Sequence, residues 1–160
     1  MKLIVFLFIN FVAYAASEQY AYSANLEKVT KQANPWMIVD TYGDSSVEEV
    51  VIPEEITDDD GLTIEYSIKD ESDNVVAEGS GPLCSEPDSM DELMGSLLGQ
   101  FLDVDLECPI SKQKGKRVAT YQTGPIELAE DPGSGQLFSD ISIKKGDQAI
   151  VTVSVYGRTK

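Results

Sequence analysis

The sequence predicts a mainly β protein, an antiparallel β-sandwich or β-cup of two sheets with one inserted amphipathic helix. The first observation is that apolar and polar residues alternate with a period of two in many short runs, which is typical of half-buried strands. The second is a single segment with the helical period. The length of 160 residues and the hydrophobic fraction of 42% are those of one globular domain.

The chain begins with the features of a secretory signal peptide. Lys2 supplies a positive charge, residues 3–12 are apolar apart from one asparagine, and Ala13-Tyr14-Ala15 offers the small residues that precede cleavage. The apolar run is shorter than the roughly 20 residues that span a membrane. We therefore expect cleavage after Ala15 and a secreted protein, extracellular or in the lysosomal lumen, without a stable membrane anchor. The alternative is an uncleaved, buried segment.

The rest of the chain is expected to form one domain after a polar lead-in. Its clearest strand is Leu62–Lys69, and the acidic turn that follows predicts a hairpin whose returning arm covers residues 75–79. The expected segments are the signal peptide 1–15, the lead-in 16–35 and the domain 36–160. Further strands are expected at residues 36–39, 47–52, 118–121, 126–128, 137–143 and 149–156, with a tight turn at Lys145-Gly146-Asp147.

The acidic segment of residues 53–61 is a candidate cation site by composition alone. Its carboxylates do not stand at alternate positions before a correctly placed glycine, as a calcium loop requires. We therefore expect a solvated loop and no metal site.

Residues 90–102 predict the amphipathic helix. Ser89 is a candidate N-cap, and Asp91 and Glu92 suit the positive N-terminal end of a helix. The apolar residues recur at helical spacing and are Met90, Leu93, Met94, Leu97, Leu98, Phe101 and Leu102. The helix either packs on the core or serves as a mobile lid that touches a ligand.

Cys84 and Cys108 are the two cysteines of the chain, and they flank the expected helix. In a secreted protein, such a pair indicates a disulfide bond in preference to a metal or redox site. We therefore expect the bond to close the base of the helical excursion. The alternative is two free, buried thiols.

Composition excludes several functions. The chain has no histidine, which removes Ser-His-Asp and Cys-His catalysis and imidazole metal sites. The net charge of −16 opposes binding to nucleic acid. A hydrolase that uses paired carboxylates is the enzymatic alternative, but no pair lies in an apolar context that would raise a pKa. We therefore expect a protein without catalytic activity and without a cofactor.

The order of these features resembles the ML (lipid-recognition) domain family, and within it the ganglioside-activator branch. The likeness covers roughly residues 36–156. It rests on Cys84 before the helix, Cys108-Pro109-Ile110 after it, the following Lys112 to Gly115 with Tyr121, and the terminal strand with Ile150 to Val155. This family usually has more cysteines than the two found here.

The resemblance implies a secreted, non-enzymatic protein that holds the acyl chains of a lipid in an apolar cavity between two sheets. Such a protein transfers the lipid or presents it to a lipid-processing enzyme or a receptor. The alternative is a secreted interaction protein or receptor ligand with a sealed core and no cavity. The candidate lipid contacts, each of which is equally suited to core packing, are Ile64, Tyr66, Ile68, Leu93, Leu97, Leu98, Phe101, Val151, Val153 and Val155.

Overall fold

The computed structural model describes residues 19–43, 46–85, 89–116, 125–127 and 135–159. The expected signal peptide and the expected strand at residues 118–121 lie outside these ranges. Within them, no helix has both the length and the apolar character to cross a membrane.

The described residues form nine strands, one α-helix and a short 3-10 turn at Asp58–Asp60. The helix is α1 (Ser89–Leu102). The strands are β1 (Gln19–Lys31), β2 (Ile38–Thr41), β3 (Val47–Ile52), β4 (Leu62–Lys69), β5 (Val75–Pro82), β6 (Gln113–Lys116), β7 (Pro125–Glu127), β8 (Gln136–Lys145) and β9 (Gln148–Thr159). All pairings between them are antiparallel.

The strands belong to two sheets. The larger has the order β5-β4-β8-β9-β1-β7, in which the short β7 pairs with the first residues of β1, and the smaller has the order β2-β3-β6. This arrangement confirms the predicted fold class, a sandwich or cup of two antiparallel sheets with an inserted helix.

Strand β4 shows how the sequence pattern produces the larger sheet. Its buried residues alternate with more exposed ones over its whole length, and it pairs with β5 on one side and β8 on the other. The predicted hairpin with the returning arm is confirmed. The predicted turn at Lys145-Gly146-Asp147 is also present, between β8 and β9, and Gly146 adopts a φ of 58° there. Glycine adopts this left-handed conformation without steric cost.

Two elements differ from the sequence-based expectations. The expected polar lead-in includes β1, which pairs with β9 near the edge of the larger sheet. A bulge between Leu26 and Lys28 interrupts its register, so the period of two that reveals other strands is broken there. Strand β6 was not predicted from the alternation of apolar and polar residues, although the resemblance implied that the chain re-enters a sheet after Cys108-Pro109-Ile110. Its sequence is Gln-Lys-Gly-Lys, and its one buried position is Gly115.

The inward side chains of both sheets and of α1 form one continuous apolar core. The helix contacts β4 and β5 of the larger sheet and β3 of the smaller one. It therefore lies across the two sheets and covers the core on that side. Leu98 and Leu102 on its inner face are fully buried, as the apolar stripe of an amphipathic helix requires.

Candidate functional site

A disulfide bond joins the two ends of the segment that carries α1. Cys84 and Cys108 are bonded, with 5.3 Å between their Cα atoms and a sequence separation of 24. The sequence-based expectation of this bond is confirmed. Because the bond fixes both ends of the segment to each other, it also fixes the residues between α1 and Cys108 beside the helix.

Those residues, 103–108, form a loop that folds back along α1, and we call them the return loop. Asp103 adopts a φ of 53°, which reverses the chain at the end of the helix. The backbone N–H of Val104 then donates to the carbonyl oxygen of Gly99 at 3.0 Å. The return loop therefore runs against the last turns of α1.

Side-chain hydrogen bonds fix the return loop to β6. The backbone N–H of Lys116 donates to Asp103 Oδ2 at 2.9 Å. The backbone N–H of Asp105 donates to Gln113 Oε1 at 2.8 Å, and Gln113 Nε2 donates to the carbonyl oxygen of Asp105 at 2.7 Å. These bonds hold the loop in one position relative to the smaller sheet.

A cleft of about 740 Å³ lies between α1, the return loop and the adjoining ends of β4 and β5. Its volume is within the range of small-molecule sites, which is roughly 300–1,000 Å³. Apolar residues of its wall are Ile64, Leu83, Val104 and Leu106. The disulfide also forms part of the wall, together with the small residues on the outer side of α1 and several carboxylates.

Ile64 connects this cleft to the core. Its side chain is only 1% exposed and belongs to the core cluster, yet it also forms part of the cleft wall. Its Cδ1 atom lies 3.7 Å from the position that a Cβ of Gly95 would occupy. Gly95 of α1 therefore faces Ile64 of β4 with room for a methyl group, and the two residues mark where the helix meets the larger sheet.

The structure brings the sequence-predicted lipid contacts together, but in the core. Of the ten, Ile64 lines the cleft and Leu93 is partly buried against the core. Tyr66 is buried, with its ring close to Gly79 on β5. The remaining seven are buried members of the core cluster and are Ile68, Leu97, Leu98, Phe101, Val151, Val153 and Val155.

Sequence reasoning did not find most of the cleft residues. Val104 and Leu106 lie in the return loop, where no periodic pattern indicates a structural element. Gly95, Ser96 and Gly99 are small residues on the side of α1 that faces the cleft. The spacing of these small residues was a signal in the sequence, because a helix side without bulky groups leaves room for a neighbouring loop or a ligand.

A second groove lies on the opposite face of the larger sheet. Glu65, Ser67, Glu78 and Asp140 contribute to it, and its volume is about 600 Å³. Glu65 and Ser67 alternate with the buried residues of β4, so they face away from the core. Tyr66 and Gly79 also line this groove, and Lys144 forms an ion pair with Glu65 across 3.0 Å.

The acidic segment before β4 has a structural role. Asp60 Oδ2 accepts a hydrogen bond from the backbone N–H of Thr57 at 2.8 Å, and Asp60 Oδ1 accepts one from Trp36 Nε1 at 3.1 Å. The bond from Thr57, then the bond from Trp36 and the charge of Lys145 hold the pKa of Asp60 below its ordinary value of 3.8. Lys145 Nζ also lies 5.8 Å from the centre of the Trp36 ring.

In the described part of the chain, no group of three or more Cys, Asp or Glu residues is arranged to hold a metal ion.

Comparison with known proteins gives a likeness in structure alone. No protein-family model and no curated protein matches the chain. Among solved structures, the chain is similar to chicken MD-1 in a crystal structure of its complex with lipid IVa, with a TM-score of 0.36 and 12% sequence identity. The alignment covers 88% of this chain and 98% of that chain.

Proposed function

We propose that the protein is a secreted, non-enzymatic lipid-binding protein that holds a lipid or another apolar small molecule in the cleft beside α1. The observation that carries the proposal is the cleft of about 740 Å³, whose apolar wall reaches the core at Ile64. Burial of an alkyl chain is favourable by about 0.8 kcal/mol for each methylene group. An apolar wall of this kind therefore supports binding without many polar contacts.

The contact between α1 and β4 suggests how a longer chain is accommodated. Ile64 separates the cleft from the interior, where Leu97, Leu98 and Phe101 of α1 face the two sheets. A movement of α1 away from β4 would extend the cleft into this interior. The sequence-predicted contacts of β4, α1 and β9 would then meet the acyl chain, and α1 would border the entrance.

We further propose that the protein belongs to the ML family. Within this family, its sequence features resemble those of the ganglioside-activator branch. The disulfide that encloses α1 and the re-entry of the chain into the smaller sheet at β6 support this proposal. The corresponding role is transfer of a lipid, or its presentation to a lipid-processing enzyme or a receptor.

Titration with Nile red, an uncharged apolar fluorophore, tests the binding proposal. We expect saturable binding by the wild type. Ser96 is exposed on α1 and lines the cleft, so the side chain of Ser96→Trp would fill the cleft. We expect this variant to bind Nile red about tenfold or more weakly, which corresponds to a free-energy difference of about 1.4 kcal/mol. Ser72→Trp is the matched control, because Ser72 lies in the exposed turn between β4 and β5.

The identity of the ligand requires a separate measurement. Mass spectrometry of an organic extract of the natively secreted protein should detect a lipid in stoichiometric amount. If the folded wild type binds neither Nile red nor an extractable lipid at neutral and acidic pH, the lipid-binding proposal is wrong.

The second candidate function is an interaction protein with a sealed core. The continuous packing of the inward side chains favours it. In that case Nile red would not bind in a saturable way, and Ser96→Trp would have the same effect as Ser72→Trp.

A further inference from the structure

The charged residues that line the cleft beside α1 are all acidic. They are Asp91, Glu92, Asp103, Asp105 and Glu107. Asp91 and Glu92 stand in the first turn of α1, and the other three belong to the return loop. No lysine or arginine of the described residues takes part in the lining. The cleft thus combines an apolar wall with negative charge contributed from two sides.

The ion pairs of the described lysines do not involve Glu92 or the carboxylates of the return loop. Their ion pairs are Lys31 with Asp40, Lys69 with Asp73, Lys114 with Glu49, and Lys144 with Glu65. None of these pairs includes a carboxylate of the return loop or Glu92. The carboxylates of Glu92 and Glu107 also accept no hydrogen bond from a described residue. They are therefore available to a ligand.

The second groove differs from the cleft in the pairing of its carboxylates. That groove is also acidic, but its Glu65 is paired with Lys144, and its Asp140 accepts a hydrogen bond from Ser154. The cleft beside α1 places the carboxylates of Glu92 and Glu107 in the same lining as apolar side chains such as Val104 and Leu106. The alkyl chain and the charged headgroup of an amphiphile can therefore both make favourable contacts in this cleft.

We infer that the cleft selects amphiphiles with a protonated amine over uncharged or anionic amphiphiles with the same alkyl chain. This inference rests on the proposed lipid-binding function and adds the charge of the headgroup to it. The alkyl chain lies on the wall that contains Ile64 and Leu106, and the ammonium group lies among the carboxylates of α1 and the return loop. An anionic headgroup in the same place meets like charge, which lowers its affinity.

Competition against bound Nile red at neutral pH tests the selectivity with three probes of equal chain length. They are dodecylamine, which is cationic at this pH, dodecanoate, which is anionic, and an uncharged dodecyl glycol ether. We expect dodecylamine to bind about tenfold or more tightly than the uncharged probe, and dodecanoate to bind most weakly. Added salt should reduce the advantage of dodecylamine, because exposed charges are screened.

Variants assign the selectivity to the cleft. Glu92→Gln combined with Glu107→Gln removes two of its charges with little change in shape. The ratio of the affinities for dodecylamine and the uncharged probe should fall at least severalfold. Glu54→Gln combined with Glu55→Gln is the matched control, because these two glutamates are exposed in the loop before β4 and do not line the cleft. The control should keep the wild-type ratio.

The outcomes separate this inference from the proposed function. Equal affinity for the three probes, or tightest binding of dodecanoate, overturns the charge selection and leaves lipid binding in place. A wild-type ratio in the Glu92→Gln, Glu107→Gln variant overturns the assignment to these carboxylates. Failure of all three probes and of Nile red to bind overturns both proposals.

Discussion

Gly99 of α1 and Val104 of the return loop are in contact through their backbones in two places. The N–H of Val104 donates to the carbonyl oxygen of Gly99 at 3.0 Å, and the carbonyl oxygen of Val104 lies 2.7 Å from the position of a Cβ on Gly99. A side chain at residue 99 would separate the loop from the helix. The cleft exists in its present form because residue 99 is a glycine.

Two identical substitutions in α1 should therefore have opposite effects on stability. Gly99→Ala should destabilise the protein by about 1–3 kcal/mol, because backbone atoms of the return loop must shift. Gly95→Ala should stabilise it by up to about 1 kcal/mol, since alanine favours the helix and its Cβ would make an ordinary contact with Ile64 at 3.7 Å. Denaturant unfolding measures both. Equal effects of the two substitutions would contradict the packing described for the return loop.

The structure also defines which parts of the fold the sequence could predict. β4 was predicted with its exact bounds because it is buried on one face and solvated on the other, and this burial imposes a period of two. The residue pattern did not predict β6, because backbone atoms fill its inner side. The carbonyl oxygen of Asp103 lies 2.6 Å from the position of a Cβ on Gly115. The buried position of β6 is therefore a glycine, and the sequence contains no apolar side chain there that would indicate a buried strand.

The candidate site was less accessible to sequence reasoning than the fold. The return loop is acidic, and acidic loops are usually solvated, so Asp103, Asp105 and Glu107 gave no indication of a cleft. Their position depends on the disulfide and on hydrogen bonds with Gln113. Contacts between residues of different elements have no periodic signal in the sequence. The helix and the cysteine pair were predicted, but the cleft that they form was not.

Phe101→Asp tests whether the inner face of α1 belongs to the core. Phe101 is 3% exposed and lies in the core cluster. The charge of an aspartate there would be buried, and we expect a loss of stability of about 4 kcal/mol or more. Thermal unfolding followed by circular dichroism measures it. Ser72→Asp is the control, because Ser72 is exposed in the turn between β4 and β5 and lies outside the cleft lining, so it should tolerate the charge. A stable Phe101→Asp variant that has lost lipid binding would instead place Phe101 at the entrance.

The Cys84–Cys108 bond should stabilise mainly the segment that it encloses. Replacement of both cysteines by serine should lower the free energy of unfolding by about 3 kcal/mol. Hydrogen exchange should show the larger loss of protection in α1 and the smaller in β8 and β9, which lie outside the closed loop. Peptide mapping without reduction should recover the two cysteines in one linked species. Recovery of both as alkylated thiols would show that the bond is absent from the purified protein.

Acidification should break the contact between Asp60 and Trp36. Hydrogen bonds from Thr57 and Trp36 hold the pKa of Asp60 below its ordinary value of 3.8. A carboxylate with a lowered folded-state pKa contributes stability above its unfolded-state pKa, and this contribution is lost as the pH falls through the folded-state pKa. The contact should therefore persist at pH 3.8 and disappear only at lower pH. Trp36 is the one tryptophan of the chain, so its fluorescence reports the transition directly.

Substitutions in the same turn assign this transition to Asp60. Asp60→Asn keeps a hydrogen-bond acceptor for Trp36 Nε1 but does not titrate, so the fluorescence change below pH 3.8 should be absent. Asp58→Asn should retain it, because the side chain of Asp58 is exposed and does not contact Trp36. A transition of unchanged midpoint in Asp60→Asn would mean that another carboxyl group controls the environment of Trp36. Since this cluster lies outside the cleft lining, ligand binding at pH values above the transition should be the same in both variants.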